Sequence, residues 1–161
     1  MKHCAKWLAL AVTLAIMLAL FCLSAQPAAA SSVLSEDIND SLQGTPLQLF
    51  VPGWFSPNMY ANIRKWAHVY VYALLGISCT ATAVLWLPHT GLEHQFCLCV
   101  AVCAAYAASD EFHQLFVPGR AGLVSDVFID ACGFVPAIAL ALVWVHCRHR
   151  AAHRRKAPEH D

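Results

Sequence analysis

The length of its apolar runs constrains this chain most. The first, KWLALAVTLAIMLALFCLS, covers about Trp7 to Ser24, and the second, WAHVYVYALLGISCTATAVLWL, covers Trp66 to Leu87. The third, about 95–117, begins QFCLCVAVCAAYAAS and continues as DEFHQLFV. The fourth, LVSDVFIDACGFVPAIALALVWV, runs from Leu123 to Val145. A helix needs about 20 mostly apolar residues to cross the hydrocarbon of a bilayer. The first two runs reach that length outright. The other two reach it only if Asp110, Glu111, Asp126 and Asp130 lie inside the spans. The expected architecture is an all-α membrane protein, one domain over residues 1–161. It is a small bundle of four transmembrane helices, with an extracytoplasmic segment (25–63) between helices one and two.

Composition supports that class. At 59% hydrophobic and 12% charged residues, the chain is too apolar for a soluble domain of its size. Its partner is the lipid bilayer, and a formal net charge of zero gives no reason to expect nucleic acid. Most of the eight cysteines lie in or beside the apolar runs, where cysteine packs as a small apolar side chain. Cys97, Cys99 and Cys103 lack the paired spacing of a zinc site, so neither a metal nor another cofactor is expected.

Basic residues set the orientation. Lys2 and Lys6 place the N-terminus in the cytoplasm, and the basic tail (146–161, with RHRAAHRRK) places the C-terminus there too. The loop PHTGLEH is then cytoplasmic, and the turn VPGR faces outward with the 25–63 segment. AQPAAASS after the first run also fits a signal-peptide cleavage site. The run is longer than most signal cores, which favours a retained helix. Arg64 and Lys65 fall on the outer side, against the rule but next to the carboxylates. In the outer segment Leu34, Ile38 and Leu42 form one stripe opposite Glu36, Asp37 and Asp40, a short helix lying on the membrane or on the other helices. Trp54, Tyr60, Trp66 and Trp86 read as interfacial anchors.

The polar residues of the last three runs fall at one depth. Lys65, His68 and Tyr72 share a helix face by their spacing, as do Asp110, His113 and Gln114 with Glu111 beside them, and Asp126, Asp130 and Gly133. A charged side chain near mid-bilayer costs on the order of 2.5–3.5 kcal/mol, so these groups must face inward and pair. Lys65, His68, Tyr72, Asp110, Glu111, Gln114, Arg120, Asp126 and Asp130 are therefore the candidate pocket. Pro118–Gly119 suits a type II turn, after which Arg120 is placed to bridge a carboxylate with both arms of its guanidinium. Pro136 is expected to kink the fourth helix. Ala101, Ala104, Ala105 and Ala108 are expected to pack the third closely on a neighbour. His113 reads as an interface histidine with a satisfied ring, and the tail histidines as part of a topology anchor.

Two stretches carry a resemblance. RKWAHVYVYALLG (Arg64–Gly76) and DEFHQLFVPGRAGLVSDVFIDACG (Asp110–Gly133) resemble the signature segments of the VanZ-like family, and FCLSAQPAAASSVLS is similar to a weaker motif at the end of that family's first helix. The matching positions are Lys65, His68, Tyr72, Asp110, Glu111, Gln114, Pro118, Gly119, Arg120, Asp126 and Gly133. Many members carry a glutamate before the tyrosine of the second helix, where this chain has Val71; at Asp130 an asparagine or aspartate is common. The resemblance implies a multi-pass protein of the bacterial cytoplasmic membrane, associated in the founding member with low-level teicoplanin resistance. Three readings of the pocket stay open. In the first it binds or occludes a lipid-linked or glycan envelope component. In the second it is an enzyme using carboxylate and histidine acid–base chemistry on such a substrate, with no catalytic residue assigned. In the third it is a polar scaffold.

Overall fold

The computed structural model describes residues 2–154. Five α-helices carry the chain: α1 (Lys2–Ser24), α2 (Ala28–Leu42), α3 (Met59–Trp86), α4 (Leu92–Gln114) and α5 (Val124–Arg154), with a short 3-10 turn at Pro46–Phe50. All but α2 are long and apolar enough to cross a membrane, and they form a small helical membrane bundle. Arg155 and Lys156 of the basic tail lie outside the described residues.

The helices start and stop for local reasons. Asn58 caps α3, its side-chain oxygen accepting from the Ala61 N–H at 3.1 Å. This cap sets the start at Met59 rather than near Trp66. The extra turns are held by the preceding segment: Asn62, 2% exposed, donates to the Pro52 carbonyl at 3.0 Å and accepts from the Phe55 N–H at 3.2 Å. Trp66 donates to the same Pro52 carbonyl at 2.8 Å. Between α4 and α5, Gly119 takes φ +74° and the Arg120 N–H donates to the Val117 carbonyl at 3.1 Å, the type II turn that Pro118–Gly119 suggests. α5 continues as helix through Pro136.

Packing is closest where α3 crosses α5. A Cβ on Gly133 would collide with the Val69 carbonyl oxygen, and one on Gly76 would stand 2.9 Å from that of Phe134. The two backbones therefore touch at both glycines, the close approach that small residues permit between membrane helices. Further along, Cys99, Cys103 and Ala107 of α4 are fully buried against Cys79 and Leu75 of α3 and Ile138 of α5.

One expectation about faces is corrected and one that was open is decided. Ala101, Ala105 and Ala108 are exposed, with Ala104 only partly covered. The inward face of α4 is the line Cys99, Cys103, Ala107, Asp110 and Gln114, which the buried polar residues fix; the alanines then fall on the other side at 100° per residue. On α2 the buried stripe is Ser31, Ser35 and Asn39, while Leu34 and Ile38 are 44% and 37% exposed. A helix on a membrane bundle can turn small polar groups to the protein and leucines outward, since lipid replaces water as surroundings.

Candidate functional site: a polar cavity at one end of the bundle

The polar residues gather where α1 and α4 end and α3 and α5 begin. Lys65 Nζ lies 3.2 Å from Asp126 Oδ1, and His68 Nδ1 lies 3.5 Å from Asp130 Oδ1. Each pair joins α3 to α5, one turn below the other, so the two stripes face in register. Asp126 also sits in the first turn of α5, where the helix dipole favours a carboxylate.

α4 adds Asp110, Glu111 and Gln114, all buried. The Gln114 amide donates to Asp110 Oδ2 at 3.3 Å and to Glu111 Oε1 at 3.2 Å. Glu111 Oε2 accepts the Leu123 N–H at 2.9 Å, pinning the approach to α5 onto α4. Asp110 Oδ2 also accepts from Ser24 Oγ at 2.7 Å. Ser24 is completely buried and brings α1 into the network. Sequence reasoning passed it over, because a serine at the end of an apolar run carries no charge to flag it.

Arg120 departs from expectation. Among the described residues it bridges no carboxylate; Nε donates to the Gln26 carbonyl at 3.2 Å and Nη2 lies 3.5 Å from that of Leu23. The reason is the end of α1, whose last carbonyls have no intrahelical partner and carry the negative end of the dipole. The turn itself docks beside them, with the Ala28 N–H donating to the Pro118 carbonyl at 3.2 Å. Burial and the neighbouring Arg64 push the Arg120 guanidinium below its usual range. Neither arginine forms an ion pair among the described residues.

These groups enclose a cavity of about 320 Å³, the lower end of the usual range for ligand sites. Lys65, His68, Glu111, Gln114, Arg120, Asp126 and Asp130 line it, together with Arg64 and Ser56. Tyr72 and Asp110 stand behind the wall. The Tyr72 hydroxyl, Asp110 Oδ1 and Asp130 Oδ2 are buried without a hydrogen-bond partner among the described residues. His113 packs its ring on Phe21 at 4.5 Å and its Nδ1 has no such partner, so its ring is not satisfied as expected. Arg64 was noted in the sequence for its anomalous charge, but not as a pocket residue.

A family model, VanZ/LLP1, matches residues 9–145. The chain belongs to the VanZ/LLP1 family. No curated protein and no solved structure matches it. The match takes in every residue lining the cavity. His68 takes its carboxylate partner from Asp130 on α5 and not from its own helix, which carries Val71. Val71 lines an apolar slot beside the cavity.

Proposed function

We propose that this VanZ/LLP1-family protein sits in the bacterial cytoplasmic membrane with both termini in the cytoplasm and its polar cavity opening at the outer face. There it binds a lipid-linked or glycan envelope component, and in doing so alters access of glycopeptides such as teicoplanin to the cell surface. The basic residues near both chain ends support the orientation. One observation carries the binding reading: a cavity of ligand size lined by charged groups of both signs, in which Lys65 and His68 hold Asp126 and Asp130 while Arg64 and Arg120 form no ion pair among the described residues. A second reading, acid–base chemistry on the same component, draws on the His68–Asp130 pair at the cavity wall.

The test is teicoplanin and vancomycin susceptibility in a sensitive Gram-positive host, comparing the protein with Arg120→Ala at matched membrane abundance. A teicoplanin-selective rise in resistance, lost in the variant, is the expected result. Unchanged susceptibility with abundant, inserted protein would remove the resistance reading. Asp130→Asn separates the two chemistries: binding without catalysis tolerates it far better than acid–base catalysis does.

A further inference from the structure

The end of the bundle away from the polar cavity carries a cleft of its own. It opens between the start of α1, the junction of α3 with α4, and the far part of α5, with a volume of about 790 Å³. Its wall is mostly apolar and includes Val84, Leu85, Leu92 and Val145. A hydrocarbon chain of about 16 carbons needs roughly 480 Å³, at about 30 Å³ for each carbon, the share of one water molecule. The cleft therefore has room for one such chain. The exposed Trp7, Trp86 and Trp144 are sequence neighbours of its lining residues Lys6, Leu85 and Val145. They place its level at the edge of the bilayer, where tryptophan gathers.

The ionisable side chains on this wall are of one kind. Lys6 and His146 line it, and no carboxylate does. Lys6 is half-buried and makes no ion pair among the described residues; its ammonium stands 5.6 Å from the centre of the Trp86 ring. Glu93, in the first turn of α4, is exposed and lies off the wall. Gln95 and Thr90 are engaged elsewhere, both donating to the Leu87 carbonyl, at 2.9 and 2.8 Å. One ammonium and one imidazole are left beside an apolar space. A phosphodiester, with its single negative charge, matches them. A zwitterionic headgroup also brings a cation, for which this wall has no acid.

We infer that the cleft is the seat of one anionic phospholipid, with an acyl chain in the space between α1, α4 and α5 and its phosphate held by Lys6 and His146. The lipid completes the packing of α1 on its neighbours at this end. It is separate from whatever occupies the polar cavity.

The test uses the full chain in nanodiscs of equal phosphatidylcholine and phosphatidylglycerol, transferred to detergent, with retained lipid counted by native mass spectrometry. One phosphatidylglycerol per chain should stay bound, about tenfold in preference to phosphatidylcholine, the scale of one charge-assisted hydrogen bond. Lys6→Gln should erase that preference. Arg148→Gln should keep it, because this guanidinium stands over the Trp144 ring at 4.8 Å and lies off the cleft wall. Ala5→Trp, at an exposed position on the wall, should lower retention of both lipids. In the wild-type protein, phosphatidylglycerol should slow acetylation of Lys6 relative to Lys65, which needs no variant to fold. Equal retention of the two lipids, a preference lost as fully in Arg148→Gln as in Lys6→Gln, or acetylation of Lys6 unaffected by lipid would each overturn the inference. So would retention untouched by Ala5→Trp, or a second copy of the chain held on this face in place of lipid.

Discussion

The two ends of the bundle are held by different physics. Towards the end where α3 stops and α4 starts, helices meet through small and apolar groups: Cys79, Cys99 and Cys103 pack without exposure beyond 9%, and Thr13 and Thr82 hydrogen-bond across α1 and α3 at 3.0 Å. Trp7 and Trp86 meet edge to face there at 5.1 Å, beside a mostly apolar cleft lined by Val84, Leu85, Leu92 and Val145. At the other end the same helices meet through ion pairs, a shared glutamine and a serine, around an open cavity. Dispersion and shape suffice for assembly in lipid. Charge is expensive there and adds less net stability than it costs to desolvate. The polar end is therefore organised for something besides cohesion, and the apolar end shows what cohesion alone requires.

The comparison can be broken at several points. The largest effect is expected at the glycine contact between the regions. Gly133→Leu puts a side chain where even a Cβ collides with the Val69 backbone, and should cost about 3 kcal/mol or prevent assembly; gel filtration and melting in detergent would show it. Within the polar end, Ser24→Ala leaves Asp110 with only the longer Gln114 bond and should cost about 1–3 kcal/mol. A double-mutant cycle with Asp110→Asn would measure the coupling, and none would mean the bond is incidental. At the apolar end Cys103→Ala should cost about 1 kcal/mol by leaving a small void, with no change in teicoplanin susceptibility. Smallest is Lys65→Met. The Lys65 and Asp126 side chains are 22% and 25% exposed, so solvent screens the pair and stability should move by less than about 1 kcal/mol. A larger loss would mean that the polar end does hold the helices together.

Much of this was legible in the chain. The four spans follow from apolar length, a local quantity that the bilayer reads directly. The stripes of Lys65 with His68 and of Asp126 with Asp130 follow from helical spacing, and the turn at Gly119 follows from its dipeptide. Direction was harder. Nothing local distinguishes the side of α4 bearing Ala101 and Ala105 from the side bearing Cys99 and Cys103, since both are small. On α2 the apolar stripe left open whether it lies on the membrane or on the other helices, because apolar side chains suit either surface. Arg120 found carbonyls at the end of α1, a partner set by how the turn docks and invisible to spacing. Ser24 and Asn62, uncharged and buried, become visible only once neighbouring segments close on them.

The central claim is that the polar end serves a ligand, and that Arg64 and Arg120 add no more to cohesion than the two bonds of Arg120 to the carbonyls at the end of α1. Its most direct test is the melting temperature in detergent of Arg64→Gln/Arg120→Gln beside the wild-type protein. A fall of no more than about 4 °C, the scale of 1 kcal/mol in a chain of this size, is the expected result. A collapse comparable to that of Gly133→Leu would show that the arginines hold the bundle together, and would contradict the account.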